Sequence, residues 1–424
     1  MCRCLADGRR FGVFVLVAVA LTCGGCRQPP RSSIDEEART YVRLAVALGE
    51  HDPDSLDFYA GPPNLVADIR RDPPPLSAIR RDAVAAIERL EQPVAAPPDR
   101  AAPLIDNLRA IVARVDLLRG RRSTYIEEAK PFFGAGVVVD GDRPNLDDVR
   151  SRIDRLIGGS GPLAGRYAAF ASKFLVPADR QPAVVAAALD ACRQRTRAHL
   201  ALPSNEHVAI EYVHDRPWSA YSRYRGNGQS TIQLNTDFRF TLDQVLQVAC
   251  HEGYPGHHTR NLLMDDVSRP ERSVQLTFSP EAVLGEAAAM AAVDIAFPAD
   301  ARVSIERDRL APLAGLAEAD IERHVAVERL AGELQQAQAP IAEAYIDGRL
   351  EFERAVDELE RDALVPHAEA LVKYINEYRT YVSAYTDAAR LFAAHVAACR
   401  SGSADDDAAW RCFRQEMTKA RLVR

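Results

Sequence analysis

The sequence predicts a mainly α-helical fold with a small antiparallel β-sheet beside one chemically loaded helix. Three observations lead there. Apolar residues recur at helical spacing through most of the chain, Pro- and Gly-rich breaks separate those runs, and a period of two appears only between His207 and Asn235. The chain of 424 residues is long enough for a large core and more than one lobe. Its net charge of −7 is modest and no basic run stands out, so nucleic acid is not expected as a partner.

The first residues read as a leader, not as part of the fold. Arg3, Arg9 and Arg10 precede an apolar run from Phe11 to Leu21, too short to span a bilayer and shaped like a secretory signal. Thr22-Cys23-Gly24-Gly25-Cys26 follows and resembles the end of a bacterial lipoprotein signal. That resemblance implies acylation of Cys26, with Cys23 as the alternative, and a periplasmic or outer-surface protein held to a membrane by its lipid.

The helical elements come next. Glu36 to Glu50 places Tyr41, Leu44, Ala45 and Leu48 on one face. Proline breaks at 62–63, 73–75 and 97–98 divide the following helices, and Leu104 to Arg119 and Val149 to Ile157 are again amphipathic. Ala183 to Leu200 is a long helix whose Arg193, Arg195 and Arg197 are expected on a solvated face. His207 to Val213 and Ser230 to Leu234 read as two strands joined by a polar-aromatic loop, Arg216 to Gly228. Leu242 to Cys250 is an apolar helical run, and Ser279-Pro280 opens a helix running to about Phe297, with Ser279 as N-cap.

Between those two helices stands His251-Glu252-Gly253-Tyr254-Pro255-Gly256-His257-His258. Histidines beside a carboxylate are what a catalytic zinc site needs: imidazoles to hold the ion and a base for its water. The usual arrangement, H-E-x-x-H on a helix, would put a second histidine where Pro255 stands. In an unbroken helix His251 and His257 would be about 9 Å apart along the axis and roughly 120° apart around it, too far for one ion. Pro255 lacks the N–H that would bond the His251 carbonyl, Tyr254 is pushed off helical angles, and Gly256 is permissive. A two-residue bulge therefore returns His257, or with more slack His258, to the face of His251. Cys250 is expected to point away from the metal and to serve in packing. A Cys399–Cys412 bridge is permitted in an oxidising compartment but is not fixed by the sequence.

The octapeptide resembles the H-E-x-x-P-G-H-H signature of the bacterial family of unknown function DUF885, which is grouped with the gluzincin-type zinc metallopeptidases. The resemblance is sharpest from Ser230 to about Leu263. It implies a multi-helical metallopeptidase-like fold and a downstream glutamate as third ligand. Glu286 matches that role, although Gly285-Glu286-Ala287-Ala288 departs from the family's Gly-Trp-Ala pattern, and Glu281 is the alternate. The family's late tyrosine corresponds to Tyr385, and Arg379 and Tyr381 are further candidates for binding an oxyanion or a substrate carboxylate.

The expected organisation is a leader at 1–26, an N-terminal helical region at 27–205 and a catalytic region at 206–424. The expected activity is hydrolysis of peptides, with Zn²⁺ on His251, His257 and Glu286 (alternates His258 and Glu281) and Glu252 as general base. The alternatives are a zinc-dependent hydrolase of a non-peptide amide and a non-catalytic periplasmic lipoprotein.

Overall fold

Ser33 opens the first helix, Ile34–His51, with a capping box: its hydroxyl accepts from the Glu36 N–H at 3.3 Å while the Glu36 carboxylate accepts from the Ser33 N–H at 2.7 Å. The computed structural model describes residues 33–92, 97–134, 145–216, 218–400, 402–403 and 405–422. Cys23, Cys26 and the rest of the segment 1–26 expected to be a leader lie outside these. Among the described residues, no helix is long and apolar enough to cross a membrane.

The mainly α-helical expectation holds. The predicted helices appear as Pro98–Leu118, Leu146–Ile157 and Gln181–His199, and the Ser279 hydroxyl caps Pro280–Met290 by accepting from the Ala282 N–H. In the N-terminal part, Tyr41, Leu48, Ile79, Leu104 and Leu108 pack into one core. Strand β1 (Leu56–Tyr59) pairs antiparallel with β5 (Val274–Leu276), whose Val274 and Leu276 belong to that same core. This pairing ties the N-terminal helices to the chain around the octapeptide, and residues 32–424 form one compact unit.

The second small sheet contains one strand more than the sequence suggested. Between β2 (His207–Val213) and β4 (Gln229–Asn235), the expected loop contains β3 (Ala220–Gly226). The strand order is β2-β4-β3, with β3 antiparallel to β4 and β2 parallel to it, so this sheet is mixed. Gly226-Asn227-Gly228, all at positive φ, is the tight turn of a β3–β4 hairpin. Tyr221, Arg223 and Arg225 gave that stretch a loop-like polarity, although Ser222 and Tyr224 between them are buried.

Candidate metal centre

The helix Leu242–Val248 does not stop at the octapeptide. It widens into one π-helical turn, Ala249–Gly253, breaks at a cis Tyr254–Pro255 bond, and restarts as His257–Met264. The Gly256 N–H reaches back to the Cys250 carbonyl at 3.0 Å. Gly256 is required there by proximity: a Cβ at this position would lie 1.8 Å from the His251 carbonyl oxygen. The break folds His257 back over His251, so that their Nε2 atoms are 3.2 Å apart.

Glu286, on Pro280–Met290, supplies the third corner. Its Oε2 lies 3.2 Å from His251 Nε2 and 3.5 Å from His257 Nε2. A tetrahedral ion with bonds of 2.0–2.1 Å has ligand atoms about 3.3 Å apart, so the triangle has the size of one zinc coordination face. Glu286 Oε2 is buried without a hydrogen-bond donor, while Oε1 accepts from the Tyr381 hydroxyl at 3.1 Å. An orphaned buried oxygen aimed between two imidazoles is a donor set that suits a cation. This is the one His/Cys/Asp/Glu group among the described residues with three donor atoms within 4.8 Å of one another.

Electrostatics agree with the geometry. Burial opposes charge on His257, but Glu286, Glu252 and Asp57 carry its pKa up to about 9. The same histidines hold the Glu286 carboxyl far below its usual range despite burial. Glu252 is raised by burial, with His251 and His257 pulling the other way. It lines the same cavity as both histidines and Glu286, a space of about 530 Å³.

The remaining sequence candidates separate. Tyr385 lines the cavity, with its hydroxyl 3.4 Å from that of Tyr374. Arg379 does not reach it. Its Nε donates to Glu128 at 2.6 Å, because that carboxylate is almost wholly buried and needs a counter-charge. Glu281 is not a ligand either, since Arg272 and Arg260 neutralise it. His258 is fully buried and turned away from the triangle: Nδ1 meets Ser230 Oγ at 2.7 Å and Nε2 meets Glu206 Oε2 at 3.3 Å.

Sequence reasoning missed three contributors. Asp57, on β1, faces the site from the N-terminal part, accepting from Tyr221 Oη at 2.9 Å and from Gln275 Nε2 at 2.5 Å. Glu206, its side chain fully buried, gathers His258, the Tyr254 hydroxyl, Arg193 at 2.7 Å and Arg197 at 2.6 Å. Those two arginines are therefore not simply a solvated face, and their i, i+4 spacing was the available signal. Cys250 is more than packing: it forms a disulfide with Cys192, fastening the π turn to Gln181–His199. The permitted Cys399–Cys412 bridge is present.

No family model matches the chain. No curated protein matches it either. A solved structure of a proposed lipoprotein of unknown function from Shewanella oneidensis aligns over 84% of this chain and 74% of its own, at TM-score 0.47 and 13% identity.

Proposed function

We propose that this chain is a zinc-dependent peptidase. The observation that carries the reading is the His251–His257–Glu286 triangle, of zinc dimensions and with an orphaned carboxylate oxygen. The octapeptide's resemblance to the DUF885 signature points the same way. Zinc, when bound, supplies Lewis acidity that polarises a carbonyl and acidifies a water.

The chain's own groups do the rest. Glu252 adjoins His251, and burial makes its carboxylate a stronger base than usual. It takes a proton from the attacking water and passes it to the leaving nitrogen. Tyr381 holds Glu286 by one oxygen, leaving the other for the histidines. Tyr385, in the cavity wall, donates its hydroxyl to the oxygen on which charge develops. Strand β3 is an edge of its sheet and its residues 220–223 line the cavity, so its free backbone can pair with an extended peptide.

The test is zinc content measured together with peptide hydrolysis. Wild-type protein should hold about one zinc and lose activity on chelation. Glu252→Gln should keep the metal and lose turnover by about 10²- to 10⁴-fold. His251→Ala should lose both. Activity in metal-free protein, or release of zinc by Glu252→Gln, overturns the reading.

A further inference from the structure

A second cavity, of about 970 Å³, adjoins the metal cavity, and Tyr385 lines both. The same three helical runs build the two spaces. The run that carries His251 contributes Gln247 and Gln244 to the second cavity, three to four residues apart. The run with Glu286 contributes Met290 and Val293, and the run with Tyr381 and Tyr385 contributes Ala389 and Ala393. Steps of three and four keep residues on one helix face. Each run thus carries residues into both spaces, one end at the metal centre and the other in the second cavity.

Length and chemistry indicate what fits. At 1.5 Å per residue, Gln244 lies about 10 Å beyond His251 and Ala393 about 18 Å beyond Tyr381. An extended chain rising about 3.3 Å per residue covers that distance with three to five residues. The wall holds polar groups with unused capacity. Glu328 has a side chain only 10% exposed; its Oε1 is buried without a hydrogen bond, 3.8 Å from His324 Nδ1, while Oε2 accepts from the Tyr167 hydroxyl. Gln247 offers an amide of the kind that pairs with peptide groups, and Gln244, whose Oε1 accepts from the Thr241 N–H at 3.0 Å, offers its NH₂. On the helices Leu146–Ile157 and Ile321–Leu334, Arg152, Arg155 and Arg329 line the same cavity with no carboxylate partner among the described residues.

We propose that the two cavities are one trough, and that the protein takes an extended oligopeptide running three to five residues past the metal centre. An anionic group of that peptide, its terminal carboxylate or an acidic side chain, lies against Arg152, Arg155 and Arg329. This deepens the peptidase reading and rests on it.

The experiment measures binding by zinc-loaded Glu252→Gln protein, where turnover does not interfere. The probes are fluorophore-labelled alanine peptides of three and eight residues, each with a free or an amidated C-terminus. The free-acid octamer should bind at least tenfold more tightly than the trimer, and amidation should weaken it severalfold. An internal Asp that restores the amidated octamer supports the trough with a side chain as the anion. Arg152→Glu combined with Arg329→Glu, both at exposed positions, should erase the preference for acid over amide. Ala389→Trp should narrow the trough and remove the advantage of length. Equal affinity for both lengths, or indifference to the anionic group, overturns the proposal. Wild-type protein is assayed on the same peptides. If they are cleaved with kcat/KM independent of length, only the trough falls. If none is bound or cleaved, the peptidase reading itself has failed.

Discussion

Gly256→Ala should disable the metal centre, whereas Gly285→Ala, one residue before a ligand, should not. At Gly256 the new Cβ would lie 1.8 Å from the His251 carbonyl oxygen and 2.5 Å from that of Cys250. Both are backbone atoms of the turn that presents His251, so no side chain can swing aside. Reaching even 3.0 Å requires an opening of at least about 1.2 Å, against a tolerance of about 0.2 Å in a metal–ligand distance. The residue's φ of −73° is outside the left-handed region, so the case for glycine here is made from the close approach. His257, the next residue, would leave the triangle. Loss of one ligand in three should weaken zinc binding by at least about 100-fold, or about 2.7 kcal/mol, and overpacking should cost the metal-free fold about 1–3 kcal/mol. At Gly285 the nearest atoms are those of the Arg260 side chain at 3.7–3.8 Å, an ordinary contact. Alanine there, inside a helix, should add about 0.5–1 kcal/mol. Competition with a chromophoric chelator measures the first effect, and thermal unfolding in chelator measures the second. A Gly256→Ala protein that binds zinc within threefold of wild type and melts at the same temperature would refute the account of the break.

His258→Ala should leave the three ligands in place yet strip Ser230 and Glu206 of a buried partner, costing about 1–3 kcal/mol. Its zinc affinity should fall less than in His257→Ala, and the reverse order by chelator titration would exchange their roles. Glu206 is held far below its usual pKa because Arg193, Arg197, Tyr254 and His258 together outweigh its burial. A depressed folded-state pKa contributes stability that is complete above the unfolded value, near 4.3, and fades as pH falls through it toward the folded one. The stability gap between wild type and Glu206→Gln in urea unfolding should therefore narrow by about 1 kcal/mol between pH 7 and pH 3.5. A gap that does not change would show that Glu206 is not ionised in the fold.

The helices were legible because their faces repeat over about three to five turns and their ends carry capping residues. The helix Ile34–His51 begins beside its Ser33–Glu36 box, and Pro280–Met290 begins at Ser279. Strand β3 was not. Its residues 220–223 line a polar cavity and Arg223 and Arg225 are exposed, so Tyr221, Arg223 and Arg225 show no apolar alternation. The turn Gly226-Asn227-Gly228 was visible, but a turn is evidence for a hairpin only when strands are recognised on both sides of it.

The two histidines of the candidate metal centre were legible for a local reason: His257 is six positions after His251, and the chemistry of Pro255 and Gly256 dictates how they can meet. Glu286 is thirty-five residues away, and its approach depends on small residues packing one helix against another, which spacing suggests but does not fix. Asp57 had no signal at all. It arrives through the β1–β5 pairing, a contact spanning more than two hundred residues, and its neighbours Leu56 and Phe58 carry no chemistry. Arg379 fails for the converse reason. A guanidinium near three tyrosines looks like an anion site until buried Glu128, about two hundred and fifty residues earlier, claims it. What the sequence states well is therefore the part of the site whose geometry is set by covalent neighbours. Groups brought in by tertiary pairing are known only once the partner that holds them is known, and for Arg379 and His258 the partner, a buried glutamate in each case, turns an apparent ligand or anion binder into part of the frame.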